Sequence, residues 1–263
     1  MSKPVESRAR RNMRAALQEL TRSVRDSGSA EFSHQELQKN YNICVDPMRL
    51  DEASPLKPSY FSPYGGQFAD PSPDTLGGSY NGQDDETEYS LTRPVDRAYV
   101  MNIYLSSYMS FCDRFTNGER TPWISRCVGD TPFRGLFKYE QPEFGCYQIT
   151  YLDGPSYPHV MAVMYNNLVA TDDTVLCGEL LPILRIMLAQ LIKKQFVHQM
   201  VSPVLIISLM GLKARVIEAF FKDQRLVVRP TKMYDFTHGN DAAFKLFVQW
   251  YMGQPIGDTV QTP

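Results

Sequence analysis

The second half of the chain carries helical and strand patterns of hydrophobic residues in turn. Apolar side chains recur with helical spacing from Pro94, a residue suited to a first helical turn, to about Arg114. Two predicted strands follow at Cys146–Leu152 and His159–Ala170, and the sequence Asp153-Gly154-Pro155 predicts a turn between them. The pattern therefore predicts a helix and then a pair of strands.

A nearly all-apolar helix and three further strands follow this pair. Residues 179–195 have only a narrow polar arc, so we expect a helix buried on most sides, with Pro182 in its first turn. The next strands are each a short run rich in apolar residues: Val204–Leu209, Ala214–Phe221 and Arg225–Arg229. A last helix is predicted at about 240–252. The order α-β-β-α-β-β-β-α over residues 96–263 predicts an α/β (α+β) domain with helices flanking a mixed sheet.

Residues 1–39 predict an N-terminal basic amphipathic helix or arm outside this domain. An apolar stripe with helical spacing is formed by Met13, Leu17, Leu20 and Val24. Arginines dominate the remaining positions, but Glu6, Glu19 and Asp26 are atypical of a targeting presequence. Docking on a partner, a solvated helix, targeting and nucleic-acid contact all remain open.

Residues 40–95 predict an acidic linker between the arm and the domain. They contain seven prolines, two glycine pairs and the acidic run 84–86, without helical or strand periodicity. We expect an extended, partly disordered segment. Its aromatic residues suit either a solvated linker or docking onto a surface of this protein or of a partner; they are Tyr60, Phe61, Tyr64, Phe68 and Tyr80.

Charge divides the chain into the same three parts. The net charge of −2 is the sum of +3 for residues 1–39, −6 for 40–95 and +1 for 96–263. This excludes a uniformly basic nucleic-acid coat, although it leaves room for a local basic patch.

Cysteine spacing and the N-terminus bear on the compartment. The five cysteines include no CxxC pair, which excludes a zinc ribbon and a thioredoxin motif and favours free thiols. No secretory signal and no membrane-spanning apolar run occurs. We expect an intracellular protein, cytoplasmic or nuclear and not secreted, without membrane contact.

The order of the elements resembles the core of PD-(D/E)XK nucleases. The resemblance implies an Asp at the end of one strand and an acidic-x-Lys triplet on the next, where carboxylates hold Mg²⁺ and activate water. Asp153 matches the first Asp, but Met164 and Asn166 stand where the acid and the Lys belong. A thioether is a poor Mg²⁺ ligand and an amide cannot replace an ammonium group. The resemblance therefore implies a degenerate site, with no cofactor.

A displaced site is the alternative. If the protein is an active nuclease, Mg²⁺ and catalysis would depend on neighbouring polar residues. The candidates are Asp153, His159, Asp172, Glu179 and Gln190. Structural roles are the favoured interpretation of these residues, because Asp172 suits a helix-entry turn and Glu179 complements a helix dipole.

Basic residues of the late strands form a candidate binding surface for phosphate or for an acidic partner, including residues 40–95. They are Lys213, Arg215, Lys222, Arg225 and Arg229. A merely solvated face is the alternative interpretation.

Residues 179–259 also resemble a group of uncharacterised proteins from filamentous fungi. The resemblance lies in stretches such as GELLPILRIMLAQLIKKQF and NDAAFKLFVQWYMGQPIGDT, and it implies no activity. We therefore predict a non-catalytic interaction module that binds protein or nucleic acid. The alternatives are a metal-dependent nuclease or other hydrolase, and a small-molecule enzyme with a pocket between the sheet and the Tyr-rich helix at 96–114.

Overall fold

The computed structural model describes residues 5–51, 53–82, 92–114, 123–126, 128 and 133–260. The helices of these residues are α1 (Arg8–Asp26), α2 (His34–Tyr41), α3 (Pro73–Leu76), α4 (Pro94–Arg114), α5 (Cys177–Leu191) and α6 (Asp241–Tyr251). The longer strands are β5 (Phe144–Leu152), β6 (Val160–Asn166), β8 (Val204–Met210), β9 (Lys213–Lys222) and β10 (Arg225–Pro230). The shorter strands are β1 (Glu31–Ser33), β2 (Ile43–Val45), β3 (Phe61–Ser62), β4 (Trp123–Arg126), β7 (Thr174–Leu176), β11 (Tyr234–Asp235) and β12 (Gln254–Pro255).

Eight of these strands form one mixed sheet. Its order is β2-β10-β9-β8-β6-β5-β4, with β11 paired to β9. The pairs β2–β10 and β6–β8 are parallel, and the other pairs are antiparallel. Helix α5 connects β6 to β8, because a parallel pair needs a crossover connection. The predicted mixed sheet flanked by helices is confirmed.

Helices cover both faces of the sheet. Alternate residues of β8 enter two separate cores: Val204 and Ile206 pack on the side of α1 and α5, while Leu205 and Ile207 pack on the side of α4 and α6. Because both faces are covered, the inner strands have continuous apolar sequences. We call these sides the α5 face and the α4 face.

The N-terminal helix packs against the chain's own α5. Met13, Leu17 and Val24 are buried in the α5-face core, and Leu20 is partly buried against it. Arg10 is also buried, and its guanidinium donates hydrogen bonds to the carbonyls of Gln199 and Leu191. Because Leu191 is the last residue of α5, this contact satisfies a carbonyl at the helix end.

The predicted linker packs against the domain over residues 40–51 and 53–82. Strand β2 adds an edge to the sheet beside β10, and Tyr60, Phe61, Phe68 and Tyr80 are buried in the α4-face core. Strands of two or three residues are too short to show a periodicity, which explains why the sequence pattern missed them. The acidic run 84–86 lies outside the described residues.

One helix boundary corrects the sequence analysis. Helix α5 begins at Cys177, so Pro182 is its sixth residue and lies in the second turn; the expectation of a first-turn position was wrong. Pro182 has no N–H for the carbonyl of Gly178 four residues earlier.

The described cysteines Cys44, Cys112, Cys146 and Cys177 are free thiols, and Cys127 lies outside the described residues. Burial raises the pKa of Cys112 and of Cys146 to about 12, so neither is a reactive thiolate near neutral pH. Among the described helices, none combines the length and the apolar character needed to cross a membrane.

Candidate functional site

Met164 and Asn166, which stand where the nuclease acid and Lys belong, are both buried in the core. Met164 has no exposed surface and packs in the α5-face core. Asn166 is 2% exposed, and its Nδ2 donates to Ser208 Oγ at 3.1 Å. A Cβ atom on Gly178 would lie only 2.1 Å from Asn166 Oδ1, so helix α5 sits directly on this amide. Both side chains therefore form structural contacts at the positions where a PD-(D/E)XK nuclease carries its acid and its Lys.

Glu179 is held by an arginine of the sheet. Glu179 and this arginine, Arg215, are both fully buried. Arg215 Nε lies 2.9 Å from Glu179 Oε1, Arg215 Nη2 contacts Oε2, and the Leu176 N–H donates to Oε2 at 2.9 Å. Arg215 Nη1 also donates to the Thr171 carbonyl at 3.3 Å. The carboxylate is thus neutralised and anchors the start of α5 to β9.

The two candidate aspartates lie at exposed turns. Asp153 Oδ1 accepts from the N–H of Gly154 at 2.9 Å, and Asp172 Oδ1 accepts from the N–H of Met233 at 2.9 Å. Within the described residues, no group of three or more His, Cys, Asp and Glu side chains is arranged to hold a metal ion. The structure does not gather the candidate acids into one centre.

His159 and Gln190 are both fully buried, each with one unpaired atom. His159 Nε2 lies 3.0 Å from the Ile256 carbonyl, while Nδ1 has no hydrogen-bond partner among the described residues. Burial lowers the pKa of His159 to about 4, so the ring is neutral near pH 7. Gln190 Nε2 donates to the Pro158 carbonyl at 3.2 Å, and its Oε1 finds no described partner.

The predicted basic surface needs correction. Lys213, Lys222 and Arg225 are exposed, whereas Arg215 is fully buried and Arg229 is 6% exposed. Lys213 and Lys222 lie at opposite ends of the ten-residue strand β9, about 30 Å apart at roughly 3.3 Å per residue. The five residues therefore do not form one patch. Arg215 and Arg229 lie on the faces of the sheet and form their contacts inside the protein.

A partly exposed, mainly aromatic surface lies along α4 and beside β5. We define the aromatic surface as Tyr99, Ile103, Phe111 and Tyr147. Tyr99 is 55% exposed and Ile103 is 49% exposed, one helical turn apart. The Tyr99 and Tyr147 ring centroids are 6.3 Å apart, and Tyr147 lies at an irregularity of β5 that re-aims its side chain.

A shallow groove of about 480 Å³ runs beside these residues on α4. Its lining consists of Thr75, Tyr99, Asn102, Ile103, Ser106, Ser107, Ser110 and Phe111. The lining combines aromatic, aliphatic, hydroxyl and amide side chains and includes no Lys or Arg.

A smaller pocket lies between α4 and the sheet, where the sequence analysis placed a small-molecule alternative. Its volume is about 240 Å³, and its lining consists of Met109, Ser110, Asp113, Trp123, Ser125, Gln148, Thr150, Tyr251 and Met252. Thr150 Oγ1 lies 3.3 Å from the Tyr251 hydroxyl, and Trp123 Nε1 donates to the Gly253 carbonyl at 2.7 Å. Polar groups thus come from two helices, α4 and α6, and from two strands, β4 and β5.

Comparisons with known proteins give no identification. No protein-family model, no curated protein and no solved structure matches the chain. The resemblances to fungal proteins and to PD-(D/E)XK nucleases stay predictions.

One buried polar centre, formed around Glu218, is absent from the sequence-based predictions. Arg229 Nη1 lies 2.8 Å from Glu218 Oε2, and the N–H groups of Ser59 and Tyr60 donate to Oε1 at 2.8 and 2.7 Å. Burial raises the pKa of Glu218, while these N–H donors and Arg229 oppose the rise. The sequence did contain a signal for this centre, the two-residue turn after Lys222. This turn sets the register of the hairpin formed by β9 and β10, and the register places Glu218 opposite Arg229.

Proposed function

We propose that the protein is a non-catalytic intracellular binding module that recognises a protein partner through the aromatic surface. The observation that carries this proposal is the exposure of Tyr99 and Ile103 on successive turns of α4, a helix that is anchored on its other side by Ala98, Met101 and Leu105 in the core. Large exposed side chains grouped on a rigid element are typical of interaction sites, and Tyr is enriched among the residues that dominate binding energy.

The chemistry of the groove favours a protein over a nucleic acid. Binding to nucleic acid depends on Lys and Arg contacts with phosphates. The groove beside the aromatic surface is lined instead by aromatic, aliphatic, hydroxyl and amide side chains. Such a surface suits an apolar segment of a partner, rimmed by neutral hydrogen bonds.

The contacts of Met164, Asn166 and Glu179 support the non-catalytic part of the proposal. Met164 is packed, Asn166 is bonded to Ser208, and Glu179 is paired with Arg215. Freeing Glu179 for another role would leave a buried arginine without its partner, which is energetically costly.

The test is a binding measurement with a matched control. Tyr99→Ala combined with Ile103→Asp removes the centre of the aromatic surface, and Val260→Asp changes a comparably exposed residue, 52% exposed, elsewhere. A protein captured by the native chain is purified, and its affinity for each variant is measured. We expect at least about a tenfold loss for the double variant, or about 1.4 kcal/mol, and no change for the control. Equal affinity of both variants would contradict the proposal.

A nuclease assay tests the enzymatic alternative directly. Asp153 is exposed and, within the described residues, its side chain bonds only its own turn, so Asp153→Ala is expected to fold. Metal-dependent cleavage of DNA or RNA that disappears in this variant would overturn the non-catalytic proposal.

The pocket between α4 and the sheet supports a second candidate function, the binding of a small polar molecule. Its volume of about 240 Å³ and its mixed lining carry this candidate. The chain has two tryptophans, and Trp123 lines the pocket while Trp250 is buried. Fluorescence of Trp123 in a Trp250→Phe variant reports ligand entry, and the absence of any response across a metabolite panel would count against this candidate.

A further inference from the structure

Lys193 lies in an aromatic enclosure at the end of α5. Its Nζ is 4.7 Å from the centroid of Tyr151, 5.1 Å from that of Phe133 and 5.8 Å from that of Phe196. Three ring faces hold the ammonium group in place by cation–π attraction. The rings contribute no net charge, so they position the cation without neutralising it.

A second cation meets the same ring. The guanidinium carbon of Arg126, an exposed residue of β4, is 5.3 Å from the Tyr151 centroid, and its Nε donates to the Tyr151 hydroxyl at 2.8 Å. The terminal amino groups of Arg126 form no hydrogen bond with a described residue. They form a planar fork of the kind that binds oxyanions with two parallel bonds.

Lys193 and Arg126 have no carboxylate counter-ion among the described residues. Neither Lys193 nor Arg126 forms an ion pair with a carboxylate of the described residues. Burial and then repulsion from Arg126 lower the pKa of Lys193 to about 8. An anion bound close to both groups would offset this repulsion.

We propose that Lys193 and Arg126 bind the phosphate group of a small phosphorylated molecule. A phosphate group carries about −1.5 to −2 charges near pH 7 and three acceptor oxygens, which matches one ammonium group and one guanidinium group. The Tyr151 hydroxyl accepts from Arg126 and can donate its own hydrogen to the ligand. The apolar rings of Phe133 and Phe196 exclude water and strengthen these contacts. The site lies on the α5 face, because Tyr151 belongs to that core, so it is independent of the aromatic surface.

Inorganic phosphate and phenyl phosphate are the probes, titrated by calorimetry and by ³¹P resonance at constant ionic strength. Lys193→Met and Arg126→Gln each remove one charge, and Lys194→Met is the matched control at the neighbouring exposed lysine. We expect saturable binding to the native protein and to the control, and at least about a tenfold loss in each site variant. Stronger binding of phenyl phosphate than of phosphate would identify an organic phosphate as the source.

A second readout needs no substitution. Because an anion favours the charged form of a neighbouring amine, bound phosphate should raise the pKa of Lys193, followed at its ¹³Cε resonance. Absence of saturation, equal affinity of the site variants and the control, or equal binding of acetate would each overturn the proposal.

Discussion

The two buried ion pairs of β9 hold different parts of the molecule. Arg215 and Glu218 are three residues apart on one strand and therefore point to opposite faces of the sheet. Arg215 pairs with Glu179 and anchors the start of α5. Glu218 pairs with Arg229 and receives backbone N–H groups from residues 59 and 60. One pair stabilises an element of the domain, and the other attaches a preceding segment to it.

The difference shows what each kind of contact demands of the sequence. The Arg215–Glu179 pair needs two charged side chains at fixed positions of two regular elements. The Glu218 carboxylate instead binds peptide N–H groups, which every residue except proline offers. Segment 56–60 can therefore dock on the sheet without a hydrophobic repeat of its own.

The largest expected effect is on the α5 face. Glu179→Ala would leave Arg215 buried without its partner, and we expect a loss of about 3–5 kcal/mol in the free energy of unfolding. Urea denaturation measures the loss. The double variant Glu179→Met/Arg215→Met removes both charges and should be clearly more stable than the single variant. A single-variant loss below about 1 kcal/mol would show that water or another residue neutralises Arg215.

Acidification tests the packing of the α4 face, because a titratable side chain, His159, is buried there. The centroid of its ring lies 5.2 Å from that of Phe61 and 6.3 Å from that of Tyr60. Its pKa is lowered from 6.5 to about 4 by burial, so its contribution to stability is complete above pH 6.5 and is lost as the pH falls towards 4. The difference corresponds to about 3 kcal/mol at roughly 1.36 kcal/mol per unit.

The matched variant for this measurement is His159→Gln, which can still donate to the Ile256 carbonyl but does not titrate. Stability curves from pH 7 to 4 should fall more steeply for the native protein than for the variant. Parallel curves would mean that His159 is not held neutral by burial.

A smaller effect is expected from Glu218→Gln, which keeps the shape of the side chain but removes its charge. Arg229 retains the carbonyls of Leu56 and Lys57 and the Ser59 hydroxyl as acceptors. We therefore expect a loss of about 1–3 kcal/mol. Hydrogen exchange should accelerate at the amides of Ser59 and Tyr60 and stay unchanged in α5. Equal acceleration in α5 would mean that the two ion pairs are not independent.

Long elements of the fold could be predicted from the sequence because their apolar spacing repeats several times. Helix α4 and strands β8, β9 and β10 have bounds within one or two residues of the predicted ones. Strand β6 ends at Asn166 instead of Ala170, since an apolar pattern alone does not show where pairing stops. Strands β2 and β3 consist of three and two residues and could not be predicted, because they depend on backbone pairing with distant partners.

The candidate site was harder to predict than the fold. The sequence indicated that Met164 and Asn166 are unsuited to nuclease chemistry, and both are packed inside the protein. It could not distinguish a buried arginine from an exposed lysine, because Lys213 and Arg215 are two residues apart on β9 and share a face, and only the tertiary structure buries Arg215. The enclosure around Lys193 joins β5, the segment that follows α5 and the region of Phe133, so only the tertiary structure brings it together.

The smallest expected effect concerns the turn that places Glu218 opposite Arg229. Asp223 and Gln224 have φ values of 51° and 58°, the left-handed conformation in which glycine is favoured. Gln224→Gly should relieve this strain and raise the free energy of unfolding by about 0.5–1 kcal/mol. Arg225→Gly is the control: this residue has ordinary strand geometry, so glycine should destabilise the protein there. If Gln224→Gly also lowers stability, contacts of the glutamine side chain outweigh the backbone strain, and the turn holds the Glu218–Arg229 register through those contacts.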